Sequence, residues 1–125
     1  MKKEIISTKE APGAIGPYSQ ATKFNDIIYT SGQLPIDPQT GNISSDIKDQ
    51  TEQVFKNAEA ILKAAGSDLT KVIKTSVFLK DLQDFAAMNE VYGKFFTDNH
   101  PARSTVGNTD LALGALVEIE FIAHI

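Results

Sequence analysis

The 125-residue chain contains no cysteine. Disulfides, thiolate nucleophiles and Cys-ligated zinc or iron–sulfur clusters are therefore excluded. Histidine is nearly as scarce, with His100 and His124 the only two. A metal site would have to lean on carboxylates, and neither an H-x-x-x-H nor a D-x-D-x-D-G spacing is present to organise one, so no metal is expected. Basic residues are outnumbered: 12 Lys and Arg stand against 16 Asp and Glu, a net charge of -4. That balance argues against a surface built to neutralise phosphates, and nucleic acid is not an expected partner. No uncharged apolar run approaches the roughly 18 residues of a membrane span, and the two lysines of MKKEIISTKE lead into no apolar segment. The expectation is a soluble, cytoplasmic protein without a membrane partner. Internal repeats and low-complexity tracts are also missing.

What is present is enough apolar residue, 42% of the chain, to build one real core and not two. A single domain over residues 1–125 is expected. YSQATKF (18–24) alternates and stops at Asn25-Asp26, residues that tolerate the backbone of a tight hairpin, with IIYTSG (27–32) as the return strand. DPQTGN (37–42) is dense in turn formers. A helix follows, capped by Ser45 or Asp46 and stopped at Gly66, with Ile47, Val54, Ala58, Ile61, Leu62 and Ala65 at three-to-four spacing. VIKTSVFL (72–79) reads as a central strand that fills one side with Ile73, Thr75, Val77 and Leu79. A second helix starts near Asp84, with Phe85, Met88, Tyr92, Phe95 and Phe96 as its apolar stripe. Each helix lies between strands, so both are expected as crossovers on one face of a mixed six-stranded sheet, an α+β fold. Two helices cannot shield both faces of such a sheet. The mixed character of Lys74, Ser76 and Phe78 favours burial of the second face against other copies of the chain.

The segment HPARSTVG (100–107) puts one arginine in an otherwise ordinary strand, with Arg103, Thr105 and Gly107 on one face. LVEIEFIA (116–123) also alternates, with Glu118 and Glu120 opposite Val117, Ile119 and Phe121. If residues 108–114 connect the two strands as a hairpin, one of these glutamates comes opposite the segment bearing Arg103. By itself such a pair is also what a wet sheet edge would carry, worth under about 1 kcal/mol.

PARSTV followed by VEI closely resembles the C-terminal signature of the RidA (YjgF) family. APGAIGPYSQ, SGQLPIDPQTG, LKAAGSDLTKVIKTSVFLKDLQDFAAMNEVY and the closing VEIEFIA are similar to the family's other landmarks, in the same order and over essentially the whole chain. The resemblance implies a chorismate-mutase-like α+β fold, a homotrimer with a cleft at each subunit junction, and hydrolysis of 2-imino acids such as 2-iminopropanoate and 2-iminobutanoate to 2-keto acids and ammonia, without a cofactor. It further implies that Arg103 binds the substrate carboxylate, which suits a guanidinium fork, and that Glu118 positions or activates water. Glu120, on the same strand face, is the competing carboxylate. Tyr18 matches a cleft tyrosine, although alone it reads as an aromatic at a strand start, half in the core. Ser31 matches a polar wall residue and otherwise reads as a turn hydroxyl; Asn89 matches a helical asparagine of the cleft and otherwise reads as a solvent-facing amide. Thr105 stands where many relatives carry cysteine, and imine hydrolysis needs no thiol. The 107–114 loop differs from that of well-known members and puts substrate range in question. Two other functions remain open: a non-catalytic ligand-binding or chaperone-like protein that keeps the cleft, and an endoribonuclease or translation inhibitor.

Overall fold

Eighteen residues from Ile47 repeat their apolar positions with helical period, and the chain between Asp46 and Ala65 folds as α1 (Ile47–Ala64) in the computed structural model, which describes residues 2–125. The Asp46 carboxylate accepts a hydrogen bond from the Asp49 N–H at 3.0 Å and so satisfies one of the donors left bare at a helix start. At the other end Gly66 takes a φ of +86 degrees, which lets the Ser67 N–H turn back to the Leu62 carbonyl at 2.8 Å. The second helix, α2, runs Phe85–Phe95.

Six strands make one sheet: β1 (Glu4–Ile6), β2 (Ala21–Phe24), β3 (Ile27–Thr30), β4 (Val72–Leu79), β5 (Ala102–Val106) and β6 (Val117–His124), in the spatial order β1-β2-β3-β6-β4-β5. Only β4 and β5 pair in parallel. Since β6 is antiparallel to both β3 and β4, those two run the same way, and each helix carries the chain between parallel strands. The expected α+β architecture with a mixed sheet is therefore observed. Its core lies between sheet and helices, where Ile28, Val77, Leu79, Val117, Ile119 and Phe121 meet Val54, Phe55, Ala58, Ile61, Leu62 and Met88. Phe55 is its hub: it stacks on Phe95 at 4.5 Å between centroids and takes the edges of Tyr92, Phe96 and Phe121.

Several expectations need correction. The strands bearing Arg103 and Glu118 do not form a hairpin, because β4 lies between them. β6 buries Val117, Ile119, Phe121 and Ala123 in turn and takes a central place, whereas no residue of β5 is fully buried, as befits an edge. The first hairpin begins at Ala21 rather than Tyr18, with Asn25 at its turn at a φ of 56 degrees. Ile73 does not join Thr75 and Val77 on the core side. The register slips between Val72 and Lys74, a bulge that leaves Ile73 46% exposed. Phe85 likewise stands outside the core stripe of α2, which buries Met88, Val91 and Tyr92. Among the described residues no helix is long and apolar enough to cross a membrane.

Candidate functional site

On the edge strand β5, Arg103 pairs across the backbone with Thr75, a residue buried on the helix side. Its side chain therefore rises toward α2. One Nη1–H donates to Asn89 Oδ1 at 2.7 Å, and the guanidinium carbon lies 4.8 Å from the centre of the Tyr92 ring and 5.5 Å from that of Phe85. Two aromatic faces and an amide thus hold the fork in place, and cation–π attraction of this kind gains strength as water is removed. The Tyr92 hydroxyl and the Thr75 hydroxyl share a buried hydrogen bond of 2.8 Å, which fixes the ring under the arginine. Burial holds the Tyr92 phenol above its usual pKa, against the opposing pulls of Thr75 and Arg103, so the ring stays neutral beside the cation. Thr105 is the next residue on this face of β5, half-buried like Arg103.

Glu118 stands elsewhere. On β6 it lies directly across from Phe78, between the buried Val117 and Ile119, and so points to the sheet face that the helices leave open. Its carboxyl group lies over Gly32: a Cβ at that position would fall 2.8 Å from the carboxyl carbon, so only glycine admits this approach. Burial, and secondarily the charge of Glu120, push the Glu118 carboxyl above its ordinary pKa. Glu118 and Glu120 share an open cleft of about 430 Å³ with Tyr18, Ser31, Gly32, Ile15, Leu34 and Ala112. Tyr18 is 47% exposed there rather than half in the core, and its hydroxyl accepts a hydrogen bond from the Ile15 N–H at 3.2 Å. The Ser31 hydroxyl donates to the Ser19 carbonyl, which ties the wall of the cleft to the segment bearing Tyr18.

Six residues singled out by sequence thus fall into two groups. Arg103, Asn89 and Thr105 stand together on the helix side of the sheet edge, and Tyr18, Ser31 and Glu118 stand together, with Glu120, on the open face. The expected approach of Arg103 to a glutamate within the chain does not occur, since the two lie on opposite faces with β4 between them. Sequence reasoning placed Tyr92 in the core and missed its second role beneath Arg103. Nor did it show that Gly32 makes room for the Glu118 carboxylate.

A family model described as endoribonuclease L-PSP matches residues 8–125. A RutC family protein of Pyrococcus horikoshii is 54% identical over 123 residues, covering 98% of each chain. A human protein named 2-iminobutanoate/2-iminopropanoate deaminase is 46% identical over 122 residues, covering 97% of this chain and 89% of its own. Among solved structures, that of Escherichia coli TdcF with bound serine superposes with a TM-score of 0.94 at 45% identity, covering 98% of both chains.

Proposed function

The chain belongs to the endoribonuclease L-PSP family, the family of RidA, and from that membership and its two half-sites we propose that it hydrolyses 2-imino acids to 2-keto acids and ammonia. The observation that carries this reading is the restrained guanidinium of Arg103. Asn89 takes one of its N–H groups and aromatic rings flank its faces, so the fork is oriented in advance for a carboxylate, and orientation before binding is what lowers a barrier. A 2-imino acid presents such a carboxylate next to its electrophilic carbon. The human relative's name supports the same substrate class.

In this mechanism Arg103 holds the carboxylate and Glu118, its basicity raised by burial, takes a proton from water as the oxygen attacks the imine carbon. The C=N bond becomes a C–N single bond in a carbinolamine. Return of a proton to nitrogen and collapse of the hydroxyl to a carbonyl break that bond, so ammonia leaves and the 2-keto acid remains. Tyr18 and Ser31 line the water side, and Thr105 adjoins the carboxylate. Arg103 and Glu118 occupy opposite faces of one sheet, which supports a reading in which the two half-sites come from different copies, as in a homotrimer with a site at each junction. Exposed Phe24, Tyr29 and Val106 supply apolar surface for such contacts. The endoribonuclease reading has less behind it, since two carboxylates in the cleft and a net charge of -4 repel phosphate.

The test couples a serine or threonine dehydratase, which releases the imine, to semicarbazide as a trap. Wild-type protein should divert imine to keto acid and lower semicarbazone yield, Arg103→Ala should lose the effect, and Arg103→Lys should keep little of it because a point charge lacks the fork. Equal behaviour of wild type and Arg103→Ala would overturn the proposal.

A further inference from the structure

Next to Arg103 the chain exposes apolar surface that neither carboxylate binding nor water attack requires. A short 3-10 turn, Leu82–Asp84, leads into α2, and Leu82 and Phe85 are 47% and 38% exposed. Leu82 is nevertheless not loose: its side chain lies against the backbone of Gly107, on the space that any Cβ there would occupy. Gly107 directly follows Val106, the last residue of β5, and so lies just beyond Thr105. The guanidinium extends toward this end, since it lies 5.5 Å from Phe85, at the first residue of α2, as well as over Tyr92. Leu82, Phe85 and Thr105 therefore lie at the end of the sheet edge toward which the guanidinium extends.

The charges of this corner select in the same direction. Asp81 and Asp84 bracket Leu82, with the Asp81 carboxylate accepting from the Gln83 N–H at 2.9 Å, against Lys80 as the one cation of the turn. A ligand whose side chain ended in a second carboxylate would meet apolar surface and two like charges, and both raise its free energy.

We propose that Leu82, seated on Gly107, is a specificity-determining residue: with Phe85 it forms the wall that receives the imino acid side chain, and it favours imines of apolar amino acids over those of dicarboxylic ones. This rests on the deaminase reading. It also gives the glycine at position 107 a purpose, because a methyl group there would push Leu82 off its seat.

The experiment compares imines made in place by amino-acid oxidases, with catalase present, from leucine, alanine and glutamate, and reads kcat/KM for each from semicarbazide competition. Leu82→Ala should lower the leucine-to-alanine ratio by about 5- to 10-fold, the scale of losing a few methyl groups from a pocket. Gly107→Ala should move that ratio the same way. Leu82→Lys should raise the glutamate-to-leucine ratio by about 10-fold or more, a gain that no loss of fold can imitate. Ratios unchanged in both Leu82→Ala and Leu82→Lys, with the wild type active, would overturn the wall and leave the deaminase standing; a wild type inactive on all three imines would overturn both.

Discussion

Glu118 shows how one residue can be set against the stability of its own fold. Its carboxyl sits over Gly32 on the open sheet face, where burial first and Glu120 second favour the protonated form. A carboxyl whose folded pKa is raised contributes its full stability below the unfolded value, near 4.3, and that contribution is lost as pH rises through the folded value. At neutral pH the ionised group is therefore a cost that general-base chemistry would require. In separated protomers, where no arginine of another copy faces it, Glu118→Gln, neutral at every pH, should melt above wild type at pH 7 by differential scanning fluorimetry. The advantage should shrink as the pH falls toward 4; in the assembled protein the same substitution should lower imine hydrolysis at pH 7 by about 10² to 10⁴. Equal melting temperatures at both pH values would show that burial does not act on this carboxyl as described. The side of the sheet that Glu118 faces was legible in the sequence, because Val117, Ile119 and Phe121 alternate with it; its elevated pKa was not, because that depends on Gly32 and Glu120 closing around it.

At the scale of elements, periodicity located both helices and the central strand, and capping chemistry marked Asp46 and Gly66. The errors fell where local pattern yields to tertiary pairing. Ile73 belongs by alternation to the core side, yet a bulge turns it out, and a bulge leaves no mark in the residue types themselves. Phe85 belongs to the apolar stripe of α2 by spacing, but it stands beside Arg103 instead. The irregular segment before α1 had no periodicity to read, and its order comes from α1. Asn57, 1% exposed, donates through Nδ2 to the Leu34 carbonyl at 3.0 Å and the Ile36 carbonyl at 2.9 Å, while its Oδ1 accepts from Gln53. Asn57→Ala strands two carbonyls and should cost about 2–4 kcal/mol by urea unfolding. Because Leu34 also lines the Glu118 cleft, amide exchange at residues 34–36 should accelerate beyond the global change. A cost under about 0.5 kcal/mol would mean that this segment is held by other contacts.

For the whole molecule the decisive fact is the separation of Arg103 and Glu118 by the thickness of one sheet and by the intervening strand β4. The sequence suggested that these residues belong together, but strand order could not be read from it: β5 and β6 are neighbours in the chain, and the demand of β6 for two flanking strands inserts it between β3 and β4. If a closed ring of three copies completes the sites, each junction draws its arginine from one copy and its glutamate from the next. Arg103→Ala and Glu118→Gln are then each inactive alone yet complementary when mixed. Every mixed trimer, whichever variant is in the majority, contains a single junction where an intact arginine faces an intact glutamate. About three quarters of trimers formed at random from equal amounts are mixed, so unfolding and refolding the two variants together should recover about one quarter of wild-type activity. Refolding them separately and then combining them without subunit exchange should recover none. Full sites confined within one copy would predict no recovery in either case, and size-exclusion chromatography with light scattering on the same samples reports whether three copies are present to make the ring.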